Sequence, residues 1–170
     1  AIAALGDAQL RIQGMVMLYD KLYVQTGSGS MYVSIYMREL VEELVANFPT
    51  TAEVALEQSY DDFALNAKTM QTLGIIVNEL VTNIMKYAFA GRSAGRIAVS
   101  VTRRGGTARL EVGDDGVGLG DAAEGGAVGF GLMLVGILVK QLDGAMTVER
   151  GGGTRYAREF GMAGRGGSCR

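Results

Sequence analysis

Apolar residues recur at helical spacing through the first part of the chain. Between residues 1 and 24 they return every three or four positions without a proline, which predicts an amphipathic helix with the stripe Leu5, Ile12, Val16, Tyr19 and Tyr23. Gly27 and Gly29 then interrupt the pattern. A second helix is predicted from Ser34, a suitable N-cap residue, to Phe48, because Pro49 cannot continue a helix. Its predicted inward-facing residues are Tyr36, Leu40, Val41 and Leu44.

The middle of the chain first alternates and then returns to helical spacing. Residues 53–60 alternate in polarity, which predicts a strand. Asn66 is placed to cap a long helix that runs to about Ala88. The apolar stripe predicted for that helix is Met70, Leu73, Ile76 or Val77, Leu80, Val81 and Ile84.

The last third of the chain predicts two hairpins separated by a loop and a helix. Alternation over 97–102 and 107–112 predicts two strands joined at Gly105-Gly106, and residues 145–150 and 154–160 predict a second pair. Residues 114–131 are rich in glycine, aspartate and alanine, so we expect a loop that stays mobile unless a ligand orders it. A helix is predicted over 132–142, ending at Gly144.

This order of elements predicts the fold class. A mixed sheet covered on one face by helices is an α+β two-layer sandwich. We expect a helical appendage over residues 1–30, one compact domain over 31–162, and a disordered tail over 163–170.

Composition narrows the functions that are open to this domain. The chain has 170 residues, 48% of them hydrophobic, which suffices for one core. A net charge of −2 with scattered Lys and Arg predicts no nucleic-acid partner. The sole cysteine, Cys169, excludes a disulfide framework and suits a reducing cytoplasm. No apolar run reaches the roughly 18 residues that span a bilayer, so we expect a soluble, cytoplasmic chain with no membrane insertion.

Histidine is absent from the chain. Its absence excludes imidazole bases, Ser-His-Asp triads and most transition-metal sites. Any chemistry must therefore use carboxylates, amides, lysine and a bound ion. The chain begins at Ala1 rather than at Met, and we expect that upstream residues belong to the same protein.

The long central helix carries the first candidate site. Glu79 and Asn83 are four residues apart and share one face, with Lys86 about one turn further on. Mg²⁺ takes oxygen ligands and shares its shell with substrate phosphates, so Asn83 suits the metal and Lys86 suits a phosphate. The alternative is a solvated helix face without chemistry.

Two glycine-containing segments complete the candidate site. Asp114-Asp115-Gly116-Val117-Gly118 directly follows a predicted strand, where a carboxylate can accept from an exocyclic amine, although an ordinary Asp-Gly turn is the alternative. The sequence Gly129-Phe130-Gly131-Leu132 opens a helix, and free N–H groups there can bind phosphate. A Rossmann fingerprint requires a parallel βαβ unit around its glycines, and none surrounds Gly129-Phe130-Gly131; the Walker pattern is also absent.

Together and in this order, these segments resemble the GHKL ATPases, the superfamily of gyrase, the heat-shock chaperone ATPase, histidine kinases and MutL. Residues 78–88 resemble the N box, 114–118 the first glycine box, 129–132 the second, and Gly152-Gly153-Thr154 the Gly-Gly-Thr before the last core strand. Residues 10–48 resemble the end of the dimerisation region in histidine kinases related to HWE kinases, which often follow light or PAS sensors. The resemblance covers about residues 8–161.

The resemblance implies the GHKL (Bergerat) ATP-binding fold, with ATP and Mg²⁺ as cofactors. Asn83 would hold Mg²⁺, Glu79 would be a general base or an organiser, and Asp114 would accept from the adenine amine. Lys86 and Tyr87 would contact the phosphates or the nucleotide, and Gly116 and Gly118 would let adenine approach. A lid over the phosphates would be formed by Gly129, Phe130, Gly131 and Leu132. Thr154 would help to support the adenine pocket.

The resemblance also implies a function and partners. It implies the catalytic domain of a two-component sensor histidine kinase, which phosphorylates a histidine and then a response regulator aspartate, and which forms a homodimer through helices of which residues 1–30 are a remnant. The chain departs from the pattern because the histidine-bearing helix is absent and Tyr19 stands where related kinases often carry a second, non-acceptor histidine. This chain alone therefore cannot phosphorylate itself on histidine. The alternatives are an anti-sigma-type serine kinase and a vestigial nucleotide-binding dimerisation module.

Overall fold

The computed structural model describes residue 16 and residues 30–118, 130–143 and 145–162. The predicted helix over residues 1–24 lies outside the described residues, except for Val16, which is helical. The predicted tail over residues 163–170 also lies outside them. The described elements in chain order are β1 (Ser30–Tyr32), α1 (Val33–Ala46), β2 (Glu53–Tyr60), β3 (Ala64–Asn66), α2 (Ala67–Tyr87), β4 (Ala94–Arg104), β5 (Thr107–Asp114), α3 (Phe130–Gln141), β6 (Thr147–Arg150) and β7 (Thr154–Gly161).

The main sheet has five strands in the order β2-β4-β5-β7-β6. Strand β2 runs parallel to β4, and the other neighbours are antiparallel. A parallel pair needs a long crossover, which α2 supplies between β2 and β4. The two predicted hairpins are confirmed: β4 and β5 turn at Gly105, which has φ 59°, and β6 and β7 turn through three glycines of positive φ, Gly151, Gly152 and Gly153.

Alternation along the strands decides which face of the sheet the helices cover. In β4, Ile97, Val99 and Val101 are buried, whereas Ala98 between them is exposed. Because successive side chains point to opposite faces, the buried set defines the face that packs against the helices. Helix α2 packs between α1 and α3. The predicted α+β two-layer sandwich with a mixed sheet is confirmed.

Helix α2 begins and packs as its sequence predicts. The Asn66 side chain accepts a hydrogen bond from the Thr69 backbone N–H at 2.9 Å, which satisfies one of the free donors of the first turn. The predicted apolar stripe is buried along its whole length: Met70, Leu73, Ile76, Val77, Leu80, Val81 and Ile84. Burial of this stripe anchors the helix in the core.

A second, two-stranded sheet was not predicted. Strand β1 pairs antiparallel with β3, and Met31 and Leu65 are buried there. Because β1 runs to Tyr32, α1 begins at Val33 and has no side-chain cap, so the prediction of Ser34 as the N-cap is wrong. The Ser34 hydroxyl instead donates to Asp62 Oδ1 at 2.9 Å.

Smaller differences concern the ends of elements. Helix α1 ends at Ala46 rather than Phe48, and β6 begins at Thr147 rather than Ala145. Helix α3 begins at Phe130, so Gly131 is helical and does not belong to the loop. Among the described residues, no helix is both long and apolar enough to cross a membrane.

The cap of α2 gives a first test of this fold. Replacing Asn66 by Ala removes the acceptor for the Thr69 N–H, and we expect the free energy of unfolding to fall by about 1 kcal/mol in urea titrations. Asn66→Asp keeps an acceptor at the same position and should stay close to the unaltered protein. Equal stability of the Ala and Asp variants would contradict the cap.

Candidate nucleotide-binding site

The polar residues of α2 differ widely in their exposure. Glu79 is only 1% exposed, Asn83 and Lys86 are half-buried, and Tyr87 at the end of the helix is 61% exposed. A solvated helix face is therefore wrong for Glu79, because that part of α2 is covered by neighbouring elements. Asn83 and Lys86 retain the access to solvent that a ligand contact needs.

Asp114 is the last residue of β5 rather than the first of a loop. Its Oδ1 accepts from the Gly116 backbone N–H at 2.8 Å, and the Thr154 backbone N–H also donates to the carboxylate. Burial raises the pKa of Asp114, and the two backbone hydrogen bonds partly oppose that rise. The carboxylate is held in place while remaining half-exposed.

The turn after Asp114 lies directly against the end of α2. The Val117 backbone N–H donates to the Ala88 carbonyl oxygen at 2.9 Å. A Cβ on Gly116 would lie 2.2 Å from that same oxygen, so only glycine allows the two main chains to approach this closely. The N-box segment and the first glycine segment therefore meet at Ala88.

The Gly-Gly-Thr segment borders the same turn. Gly153 has φ 118°, and a Cβ there would lie 1.9 Å from the Asp114 carbonyl oxygen. A Cβ on Gly118 would stand 3.4 Å from the Gly153 carbonyl oxygen, and Thr154 is buried. The structure thus brings Asp114, Gly116, Gly118 and Thr154 together.

The second glycine segment is described only in part. Helix α3 begins at Phe130 and packs along α2, with Gly131 buried and Leu132 half-buried. Gly129 and the side chain of Phe130 lie outside the described residues. The segment therefore lies at a helix start beside α2, and its predicted contact with phosphates stays a prediction.

Two concavities flank the point where α2 meets the turn. Lys86 lines a groove of about 810 Å³ together with Phe89 and Arg92. Asp114 and Thr154 border a concavity of about 700 Å³ that extends over the sheet face opposite the helices. Although it borders that concavity, Asp114 shares a face of β5 with the buried Leu110 and Val112, so its side chain lies on the side of the sheet that the helices cover, as Lys86 of α2 does. No group of three or more His, Cys, Asp or Glu side chains within the described part is arranged to hold a metal ion.

Three features of the site were not predicted from the sequence. Gly153 touches the main chain of Asp114, and Arg92 donates to the carbonyl oxygen of Asp115. Asn78 is 1% exposed, and its side-chain amide makes no hydrogen bond to any residue that the structure describes. Asn78 and Gly153 lie inside recognised motifs, which singled out the segments but not these contacts, whereas Arg92 lies four residues beyond Ala88, where the sequence carried no signal.

Comparison with known proteins agrees with this geometry. The family model described as histidine kinase-, DNA gyrase B-, and HSP90-like ATPase matches residues 69–161, more than half of the chain. The chain belongs to this ATPase family. The matched range includes all but the first two residues of α2, together with the turn after β5 and the Gly-Gly-Thr segment.

Solved structures share the fold over a longer range. The histidine kinase domain from the Erythrobacter litoralis EL346 blue-light activated histidine kinase superposes with a TM-score of 0.78 at 21% identity, covering 91% of this chain and 74% of that one. A longer structure of that kinase superposes with a TM-score of 0.78 at 20% identity over 94% of this chain. The present chain spans half (50%) of the length of that structure. The Acinetobacter baumannii histidine kinase AdeS gives 0.63 at 13% identity, over 96% and 81%. No curated protein matches the chain.

The raised pKa of Asp114 predicts how stability depends on pH. The folded state favours the neutral carboxyl more than the unfolded chain does, so the ionised carboxylate subtracts from stability above its raised pKa. Asp114→Asn keeps an acceptor for the Gly116 N–H and should raise the free energy of unfolding at pH 7. The gain should vanish as the pH falls to the ordinary aspartate pKa of about 3.9.

Urea titrations from pH 7 down to about 3.5 measure this dependence. Asp62→Asn, in an exposed loop, removes the same charge elsewhere and serves as the matched control. A loss of stability in Asp114→Asn at pH 7 would contradict the assigned cause, as would a gain that persists at the acid end of the series.

Proposed function

We propose that this chain is the ATP-binding catalytic domain of a sensor histidine kinase in a two-component system. The observation that carries the proposal is the meeting of three motifs at Ala88, where the end of α2 contacts the turn that contains Gly116, with Gly153 on its other side. The family includes ATPases of several kinds. Likeness to histidine kinase folds over more than nine-tenths of the chain, beyond the family match, favours a kinase.

Adenine is assigned to the turn after β5. Asp114 ends the strand with a half-exposed carboxylate whose position is fixed by two backbone donors. A carboxylate held in this way accepts from an exocyclic amine, which adenine has at a position where guanine carries a carbonyl oxygen. Gly116 and Gly118 would contact the base through their main chains, because Ala88 already occupies the space that a side chain on Gly116 would fill, and buried Thr154 would support the opposite side.

The phosphates are assigned to the C-terminal half of α2. The donor set fits them, because Asn83 offers an amide oxygen to a hard cation and Lys86 offers an ammonium to a phosphate. Tyr87 would contact the nucleotide from its exposed position, and Gly129, Phe130, Gly131 and Leu132 would close over the phosphates as a lid. Bound Mg²⁺ would supply positive charge that offsets the charge of the transferred phosphoryl group.

Glu79 is assigned an organising role. A carboxylate that is 1% exposed is poorly placed to take a proton from an incoming acceptor, whereas it lies one turn before Asn83 on the same face of α2. Because Glu79 is buried, we assign it the role of holding Asn83 and this part of α2 in place, rather than the role of a general base.

The phosphate acceptor must come from elsewhere, because this chain has no histidine. The transfer proposed is from the γ-phosphate of ATP to a histidine on another segment, in the same subunit or its dimer mate, and then to an aspartate on a response regulator receiver domain. The first 30 residues would be the remnant of the dimerisation helices, and residues 31–162 would form the catalytic domain. The protein would work in the cytoplasm.

A titration with a fluorescent ATP analogue, with and without Mg²⁺, tests the binding part of the proposal. We expect saturable binding that ATP and ADP compete for and GTP does not. Asp114→Asn should weaken binding by about tenfold to a hundredfold, the effect of losing one hydrogen bond to a charged group. Undetectable binding at millimolar Mg²⁺ would contradict the proposal and favour a vestigial pocket.

Asn83→Ala tests the metal assignment. We expect it to remove the Mg²⁺ dependence of nucleotide binding while the melting temperature stays near that of the unaltered chain, because Asn83 is only half-buried. Gln71→Ala, at an exposed position of the same helix, is the control. A large loss of melting temperature, or unchanged Mg²⁺ dependence, would show that Asn83 has a structural role instead.

A further inference from the structure

The second aspartate of the turn, Asp115, is bonded to the start of β4 through two different groups. Its backbone N–H donates to the Arg96 carbonyl oxygen at 3.2 Å, and its Oδ1 accepts from the Arg96 backbone N–H at 2.7 Å. The β4–β5 ladder ends with Ile97 opposite Asp114, so these bonds continue the pairing by one residue. The side chain replaces the backbone carbonyl as acceptor, which lets the main chain turn away towards Ala88.

Two arginines add to this attachment. The Arg92 guanidinium donates through Nη1 to the carbonyl oxygen of Asp115. Arg96 Nε lies 3.9 Å from Asp115 Oδ2, and Arg96 Nη1 pairs with Glu57 Oε1 at 3.1 Å. The N–H, the carbonyl and the carboxylate of Asp115 are therefore all held. Asp115 becomes the fixed point of a turn whose neighbours on both sides belong to the candidate site.

We propose that Asp115 is a positioning residue for the nucleotide site, which holds Asp114 and Gly116 in the arrangement that adenine requires. This inference rests on the proposed function. Asp114 precedes Asp115 and carries the carboxylate assigned to adenine, while Gly116 follows it and lies against Ala88. Releasing Asp115 frees both neighbours to move, although neither loses an atom of its own.

A purely structural role for Asp115 predicts a different outcome, and the chain offers a matched control. Asp61 makes the same two kinds of bond near the other end of β4, although to two residues rather than one: its N–H donates to the Val101 carbonyl at 3.0 Å, and its Oδ2 accepts from the Arg103 N–H at 2.6 Å. Asp61 is in the loop after β2, outside all of the site motifs. Asp61→Ala therefore removes an equivalent bond without touching the turn.

The experiment compares Asp115→Ala, Asp115→Asn and Asp61→Ala with the unaltered chain. In Asp115→Ala, titration with the fluorescent ATP analogue should give about tenfold weaker binding. Competition with GTP should show a smaller difference in affinity between ATP and GTP than in the unaltered chain. Asp115→Asn keeps the Oδ1 acceptor and should stay within about threefold of the unaltered chain. Asp61→Ala should lower the melting temperature about as much as Asp115→Ala does, with nucleotide affinity unchanged.

Hydrogen exchange in the absence of nucleotide provides a second readout. The amides of Gly116 and Val117 donate to Asp114 and Ala88, so they should exchange faster in Asp115→Ala and stay protected in Asp61→Ala.

Three results would overturn the inference. If Asp115→Ala bound the analogue within about twofold of the unaltered chain, Asp115 would have a purely structural role. The proposed function would still stand in that case if Asp114→Asn weakened nucleotide binding. Equal weakening by Asp61→Ala would point to a general loss of stability. Absence of ATP binding by the unaltered chain would overturn the proposed function and this inference together.

Discussion

The candidate site depends on the close approach of two main chains, where the end of α2 meets the turn after β5. The Ala88 carbonyl accepts from Val117 N–H at 2.9 Å, and Gly116 has no side chain to hold the two apart. Helix α2 is anchored by its buried stripe, and β5 lies in the centre of the sheet. This approach therefore fixes a helix end against a strand end, and Asn83, Lys86 and Asp114, to which the metal, phosphate and adenine contacts are assigned, lie within a few positions of those two ends.

Polar groups near this approach are held under conditions that cost stability. Glu79 is almost fully buried in the helix that also forms the core, and burial raises the pKa of Asp114. Burying polar or ionised groups opposes folding unless other interactions compensate. Sequences depart from locally favourable choices mainly where function requires it, and a carboxyl with a perturbed pKa, such as that of Asp114, is typical of functional sites. The energetics thus point to the same residues as the motifs.

The sequence predicted the elements that have a periodic pattern or a strong local signal. Helix α2 shows a long apolar stripe and an Asn cap, and the hairpins show glycines between alternating strands. Strands β1 and β3 have three residues each, which is too short for a period to appear, so the cap at Ser34 was wrong. The contacts of Asp115 with Arg92 and Arg96 join residues 23 and 19 positions apart, and only the folded chain brings them together.

Hydrogen exchange with and without ATP and Mg²⁺ maps where nucleotide protects the main chain. If nucleotide binds where α2 meets the turn after β5, protection should increase over residues 83–88 and 114–118 and at Thr154, with little change on the sheet face opposite the helices. Protection confined to that opposite face, around Ala98 and Glu111, would instead place the ligand in the concavity there and rule out the assigned site.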